Sequence, residues 1–403
     1  MNPVGNVDDK RVMPSRLLRL YAMETIATLG ANLMVAGIFF YMQAYFGWGP
    51  QRNLLLASGQ GAVYVVGALS ADRVAQRVGR RGLLVALSIG LALLPLLAAW
   101  RPTPPVVATV VLVYTLLHAA QWPALESLIS SGAAAGQLSR RISVYNLVWS
   151  GGGAATIALI GIILAHFSRG AFFLIPSIGH AAAILLLFKL PGESTPAVTE
   201  HAVPEPELLA VRTLAMRLSR VALPATMATI YSLGALMPTL SVIRASQPEL
   251  RTLLASVWMI ARFFTFMLLG ATVWWHTRPR LLLVATLILP LAFLGITLTH
   301  TLAPMIACQI VLGLGLGLIY AASLYFGMVL SSGSTEHGGY HEALIGLGVL
   351  LGPGSGVVAQ LIAPGSPSAG IAAIAMLLFT SVLASAALGL LSTKRHKKKT
   401  QEE

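Results

Sequence analysis

Residues 53–99, NLLLASGQGAVYVVGALSADRVAQRVGRRGLLVALSIGLALLPLLAA, set two apolar runs on either side of a short loop carrying Arg73, Arg77, Arg80 and Arg81. A bilayer core is crossed by about 20 apolar residues in a helix, and each run approaches that length. The alternation of apolar run and polar gap continues along the chain. It predicts twelve spanning helices at roughly 17–46, 53–71, 83–99, 105–132, 142–166, 170–190, 219–241, 250–274, 281–299, 302–331, 340–363 and 367–391. The first run, from Leu17, exceeds the roughly 7–15 residues of a signal-peptide core and is read as a retained helix.

Only 10% of the residues are charged, against about 25% in soluble domains, and mean hydropathy is +0.78. The fold class expected is therefore an all-α integral membrane protein. The net charge of +13 does not point to nucleic acid, because the cations are sorted by gap. Twenty-one of the 27 Lys and Arg residues lie in the N-terminal segment, in alternate gaps, or in the tail, while the other gaps hold only Arg52, Arg101, Arg169, Arg244 and Arg251. Basic loops stay cytoplasmic, next to an anionic leaflet. Both termini are thus expected in the cytoplasm, and the chain in a plasma membrane, the inner membrane of a bacterium. The tail KRHKKK at 394–399 reads as a patch for lipid headgroups or a stop-transfer flank, and a monomer is expected. The single cysteine, Cys308, rules out an intrachain disulfide.

The longest polar stretch, Pro191–Glu207, holds four Pro and four Glu and reads as a linker. Leu208–Arg220, LLAVRTLAMRLSR, is amphipathic and is expected to lie at the membrane surface. The predicted organisation is a cytoplasmic segment 1–16, a six-helix bundle 17–190, a linker with its amphipathic helix 191–218, a second bundle 219–391 and a basic tail 392–403. The bundles echo one another about 200 residues apart. LISSG at 128–132 matches VLSSG at 329–333, RGLLVA at 81–86 matches RLLLVA at 280–285, and Gly67-Ala68 matches Gly270-Ala271. Repeated halves with a site between them at the midplane belong to alternating-access transporters.

GALSADRVAQRVGRR at 67–81 resembles the loop signature of the major facilitator superfamily, roughly G-x-L-A-D-R-x-G-R-R. Gly67, Leu69, Asp72, Arg73, Gly79, Arg80 and Arg81 fit its elements, with four extra residues between Arg73 and Gly79. An alternative register places Gln76 where the acid belongs; Asp72 is preferred as the only carboxylate there. PALESLISSGAAAGQLSRRISVYNLVWSG at 123–151 is similar to the family's junction between its fourth and fifth helices. The fifth helix lacks the Gly-Pro pair of the family's antiporters, and the fourth lacks the cavity Arg of its proton-coupled drug exporters. The resemblance implies two six-helix bundles rocking about a central cavity. It also implies a gating group of Gly67, Asp72, Arg73, Gly79, Arg80 and Arg81, with Arg140 and Arg141 or the start of the eleventh helix as partners for Asp72.

Ionisable residues inside spans are costly and face cavities or one another. Glu24, Glu126 and Glu342 are the proton-coupling candidates, competing with roles as solvated or capping helix ends. Arg262 lies deep in the eighth span, where it would attract an anionic group or pair with a carboxylate. Asn146 and Trp149 share a face at three-residue spacing; with Gln121, Trp122 and Asn32 they are the first substrate-cavity candidates. His118, Tyr145, Tyr231, Trp258 and Tyr320 also sit at membrane depth. Glu336-His337-x-x-x-His341-Glu342 has a metal-like spacing, but Gly338-Gly339 favours a helix start and no metal is assigned. No G-x-x-x-x-G-K-[ST] loop is present, and no cofactor is expected.

These features point to a secondary transporter of a small anionic or zwitterionic molecule, driven by the substrate gradient or by coupled protons. A transport-inactive sensor or scaffold is the alternative. An integral membrane enzyme ranks third, for want of a nucleophile–base pair.

Overall fold

The structure, a computed structural model, describes residues 7–131, 133, 135–188, 206–331 and 335–402. The described residues hold twelve helices long and apolar enough to span a membrane. They are α1 (Ser15–Phe46), α2 (Pro50–Val78), α3 (Arg80–Trp100), α4 (Pro104–Ser130), α5 (Arg140–His166), α6 (Ala171–Phe188), α7 (Leu208–Thr239), α8 (Pro248–Gly270), α9 (Arg280–Leu298), α10 (Leu302–Gly327), α11 (Tyr340–Ile362) and α12 (Pro367–Ser392). Large apolar side chains such as Leu55, Ile178 and Leu383 stay exposed on the outside of the bundle, as lipid-facing residues do. Most of the proposed linker, 191–205, and parts of both SSG echoes lie outside the described residues.

Three elements depart from the sequence reading. The helix expected to stop near residue 71 runs on to Val78, so Asp72, Arg73 and Arg77 are helical. It ends only at Gly79, whose φ of 75° and ψ of 154° fall in a region that essentially only glycine occupies. The segment 208–220 is not a separate surface helix. It is continuous with the seventh span in one helix, Pro206–Leu236, and Ala215 and Leu218 on it are buried. Nothing in MRLSRVAL breaks a helix, and Pro224 is absorbed inside it. The eighth span, conversely, is interrupted: helices Pro248–Ala255 and Val257–Gly270 meet at Ser256.

The first span carries a matching irregularity, a π-helical stretch at Asn32–Gly37. Such distortions free backbone carbonyls, and a buried glutamine on a neighbour captures one in each case. Gln60 Nε2 on α2 donates to Val35 O at 3.1 Å, and Gln309 Nε2 on α10 donates to Leu254 O at 2.9 Å. Both distortions face the space between the halves.

The halves meet along two seams. In the α2–α11 seam, Ser58 Oγ donates to Leu350 O at 3.1 Å, and a Cβ at Gly61 would overlap the backbone at Val349 and Leu350. Small residues permit this close approach. In the α5–α8 seam, Gly161 packs on the Glu249 carbonyl, and His166 Nε2 lies 3.8 Å from Glu249 Oε1. Helices α3, α6, α9 and α12 lie outside this inner set.

Candidate functional site: the central cavity

A cavity of about 170 Å³ lies between the halves, lined from α1, α2, α4, α5, α7, α8, α10 and α11. None of the four outer helices reaches it. Its ionisable groups form two sets, carboxylates and a guanidinium, and among the described residues no ion pair joins them.

The acidic set holds Glu24, Glu126 and Glu342, at 0%, 2% and 2% exposure. Glu24 and Glu342 line the cavity; Glu126 lies behind them, close enough to feel both charges. Thr28 Oγ1 donates to Glu24 Oε1 at 3.0 Å. The Tyr64 hydroxyl donates to Glu342 Oε2, a hydrogen bond from α2 of the first half to α11 of the second. Oε2 of Glu24 has no hydrogen-bond partner among the described residues, and the Tyr145 hydroxyl lies close to Glu126. Among those residues no Lys or Arg forms an ion pair with any of the three.

The guanidinium is that of Arg262, 3% exposed, six residues past the break in α8. Its guanidinium carbon lies 4.4 Å from the Trp149 ring centroid and 5.0 Å from that of Trp258. These are cation–π distances. Tyr231 and Tyr320 line the same cavity. The Arg262 Nε has no hydrogen-bond partner, and no carboxylate pairs with Arg262 among the described residues.

Of the other cavity candidates, Asn32, Trp122 and Trp149 line the space, with Asn32 Nδ2 bound to Thr28 O at 2.9 Å. Gln121 and Asn146 do not. Gln121 is fully buried off the cavity wall, its side chain close to that of His118 one turn back on the same helix. Asn146 stands behind the wall, where its Oδ1 accepts the Trp149 Nε1–H at 3.1 Å, and it borders a separate small cavity with Ser143 and Tyr325.

The gating group is dispersed in this conformation. Asp72 accepts a hydrogen bond from Gln76 Nε2 at 2.7 Å on its own helix and pairs with neither Arg140 nor Arg141. Arg141 is buried and donates to the carbonyls of Ile129 at 3.1 Å and Ser131 at 2.9 Å. It thereby satisfies carbonyls left open at the end of α4. Arg140 and Arg73 are exposed and Arg80 half-buried, while Arg81 Nη2 donates to Phe188 O at 3.0 Å. A Cβ at Gly67 would strike the Leu116 carbonyl of α4, so that glycine serves close helix packing. His341 is buried against Ser323 Oγ, 3.1 Å from its Nδ1; the side chain of His337 lies outside the described residues.

Sequence reasoning missed Tyr64, whose signal was the Gln60–Tyr64 pair one turn apart in an apolar span. It also missed Tyr114 and His180, which join hydroxyl to Nε2 at 2.6 Å inside the first bundle. His118, on the cavity wall, stacks on Tyr114 at 6.0 Å and meets Trp122 edge-on at 4.6 Å.

The sequence model of the Major Facilitator Superfamily matches residues 21–353. No curated protein matches the chain by sequence. Among solved structures, a crystal structure of a variant of the nucleoside transporter NupG superposes with a TM-score of 0.66 at 12% identity, covering 94% of this chain and 99% of that one. At that identity the likeness shows the fold alone. Twelve spanning helices, a cavity between two bundles and a family match over most of the length have one meaning: this chain is a multi-pass membrane transporter belonging to the Major Facilitator Superfamily.

Proposed function

We propose that the protein is a proton-coupled secondary transporter that carries a small anionic or zwitterionic molecule by alternating access. The observation that carries this reading is the set of unpaired buried charges in and behind one cavity. Arg262 is buried without a counter-ion, and three carboxylates are buried without a cation. A buried, unpaired guanidinium is strongly unfavourable, which suits a residue whose partner arrives and leaves. Three like charges in a low-dielectric pocket cannot all persist, so in this packed arrangement the acidic set carries protons. Glu342 belongs to the other half from Glu24 and Glu126. Loss of those protons would therefore push the halves apart, linking proton number to conformation. The cation distribution supports cytoplasmic termini. Asp72 and its arginines would then form a latch in the alternative closure.

Two measurements test the reading. Single cysteines placed at either end of α2 and α11, in a Cys308→Ser background, should exchange labelling rates between pH 5.5 and 8. Proteoliposomes should take up a metabolite faster when the trans side is more alkaline. Labelling that ignores pH at both ends would remove the coupling.

A further inference from the structure

We propose that the ligand is a planar, monocyclic aromatic monocarboxylate of about the size of benzoate; this deepens the transport reading above and rests on it. Size comes first. An apolar protein cavity of about 150 Å³ accommodates one benzene ring, and the central cavity measures about 170 Å³. That leaves room for one ring and a small substituent.

Shape comes second. Phe39, Tyr64, Trp122, Trp149, Trp258 and Tyr320 present aromatic surface to the space. Rings attract a flat π-system by stacked or edge-on contact, beyond the area they bury.

Charge comes third. Arg262 is the one Lys or Arg among the described lining residues. Its Nε has no partner, and a guanidinium matches a carboxylate through two parallel hydrogen bonds. Trp149 and Trp258 lie against it at cation–π distance, and no hydrogen bond among the described residues occupies its N–H groups. Glu24 and Glu342 are already bonded to Thr28 and Tyr64. A second anionic group on the ligand would find no second Lys or Arg among the described lining residues, which selects a monoanion over a dianion.

The test is binding to the purified full chain in detergent at one fixed pH, read by tryptophan fluorescence and by thermal stability. The probes are sodium benzoate, benzamide, benzylamine, phthalate and uridine. Benzoate should quench and stabilise, with affinity at least tenfold above benzamide and phthalate, and with no response to benzylamine. Arg262→Gln should lose benzoate binding, while Arg262→Lys, which keeps the charge but not the fork, should retain a weakened response and so serve as the folding control. Preference for benzylamine or uridine, silence towards benzoate, or benzoate binding that survives Arg262→Gln would each overturn the ligand class. The cysteine-labelling response to pH does not depend on the ligand. If labelling still exchanges when benzoate fails, the class falls and the transport reading stands.

Discussion

The two charged sets of the cavity are built to opposite rules. The acidic set is assembled across the halves, with Glu24 and Glu126 from the first bundle and Glu342 from the second, and its contacts are hydroxyls, Thr28 and Tyr64. A hydroxyl donates to a carboxylate and accepts from a carboxylic acid equally well, so this set can change its proton number without rebuilding its contacts. Arg262 is instead held by aromatic faces, Trp149 from the first bundle and Trp258 from the second. Aromatic faces attract the cation without occupying its N–H groups. Hydroxyl partners suit a charge that comes and goes. Aromatic partners suit a permanent charge waiting for a counter-ion.

The largest effect expected from breaking this contrast is at the permanent charge. Truncating one member of a buried, hydrogen-bonded charge pair costs about 2–5 kcal/mol. Arg262→Ala should therefore weaken ligand binding by a factor on the order of 10² or more, measured by equilibrium binding and by initial uptake rates. Uptake within a factor of two of the parent chain would reduce Arg262 to a packing role. Among the carboxylates, one linked proton gives at most about tenfold change per pH unit. Glu342→Gln should flatten the pH dependence of uptake towards zero slope while binding at low pH persists, because glutamine resembles the protonated acid. An unaltered slope would move coupling to Glu24 or Glu126, where the same substitution can be read. A smaller effect is expected one step removed from the ligand. Asn146→Leu leaves the Trp149 indole N–H without its acceptor, about 1 kcal/mol, and should weaken binding about fivefold without altering the pH slope. A changed slope would mean that Trp149 communicates with the acidic set.

Much of this arrangement could be read before any coordinates. The positions of twelve spans, the duplication and the depth of Arg262 follow from periodicity and from the cost of charge in lipid. Glu24 and Glu342, Asn32, Trp122 and Trp149 all reach the cavity wall. What could not be read depends on helix rotation and on interruptions. Gln121 adjoins Trp122 yet does not line the cavity, since successive helical residues lie about 100° apart. Asn146 shares a face with Trp149 but sits one layer back. The break at Ser256 has no Pro or Gly to announce it; it depends on Gln309 from α10 capturing the Leu254 carbonyl, a contact 55 residues distant in the chain. The continuation of α2 to Val78 was masked by its arginines, which look like loop residues until Gly79 is seen to supply the actual stop.

Asp72 gives the weakest effect and the sharpest separation of the two conformations. It lies eight residues beyond Tyr64 on α2, about 12 Å along the helix axis, past the hydrogen bond that joins Tyr64 to Glu342. In this conformation its bond to Gln76 is one that asparagine can reproduce, since the Asn side-chain oxygen accepts from the same amide. Asp72→Asn should therefore change thermal stability by no more than about 0.5 kcal/mol. A latch that closes only in the other conformation has a different signature. The substitution should leave stability alone and still shift cysteine labelling near the end of α2, because it removes a charge from one state and not from the other. Equal labelling in both proteins would leave Asp72 as a solvated surface carboxylate, with the conformational balance set by the buried acids.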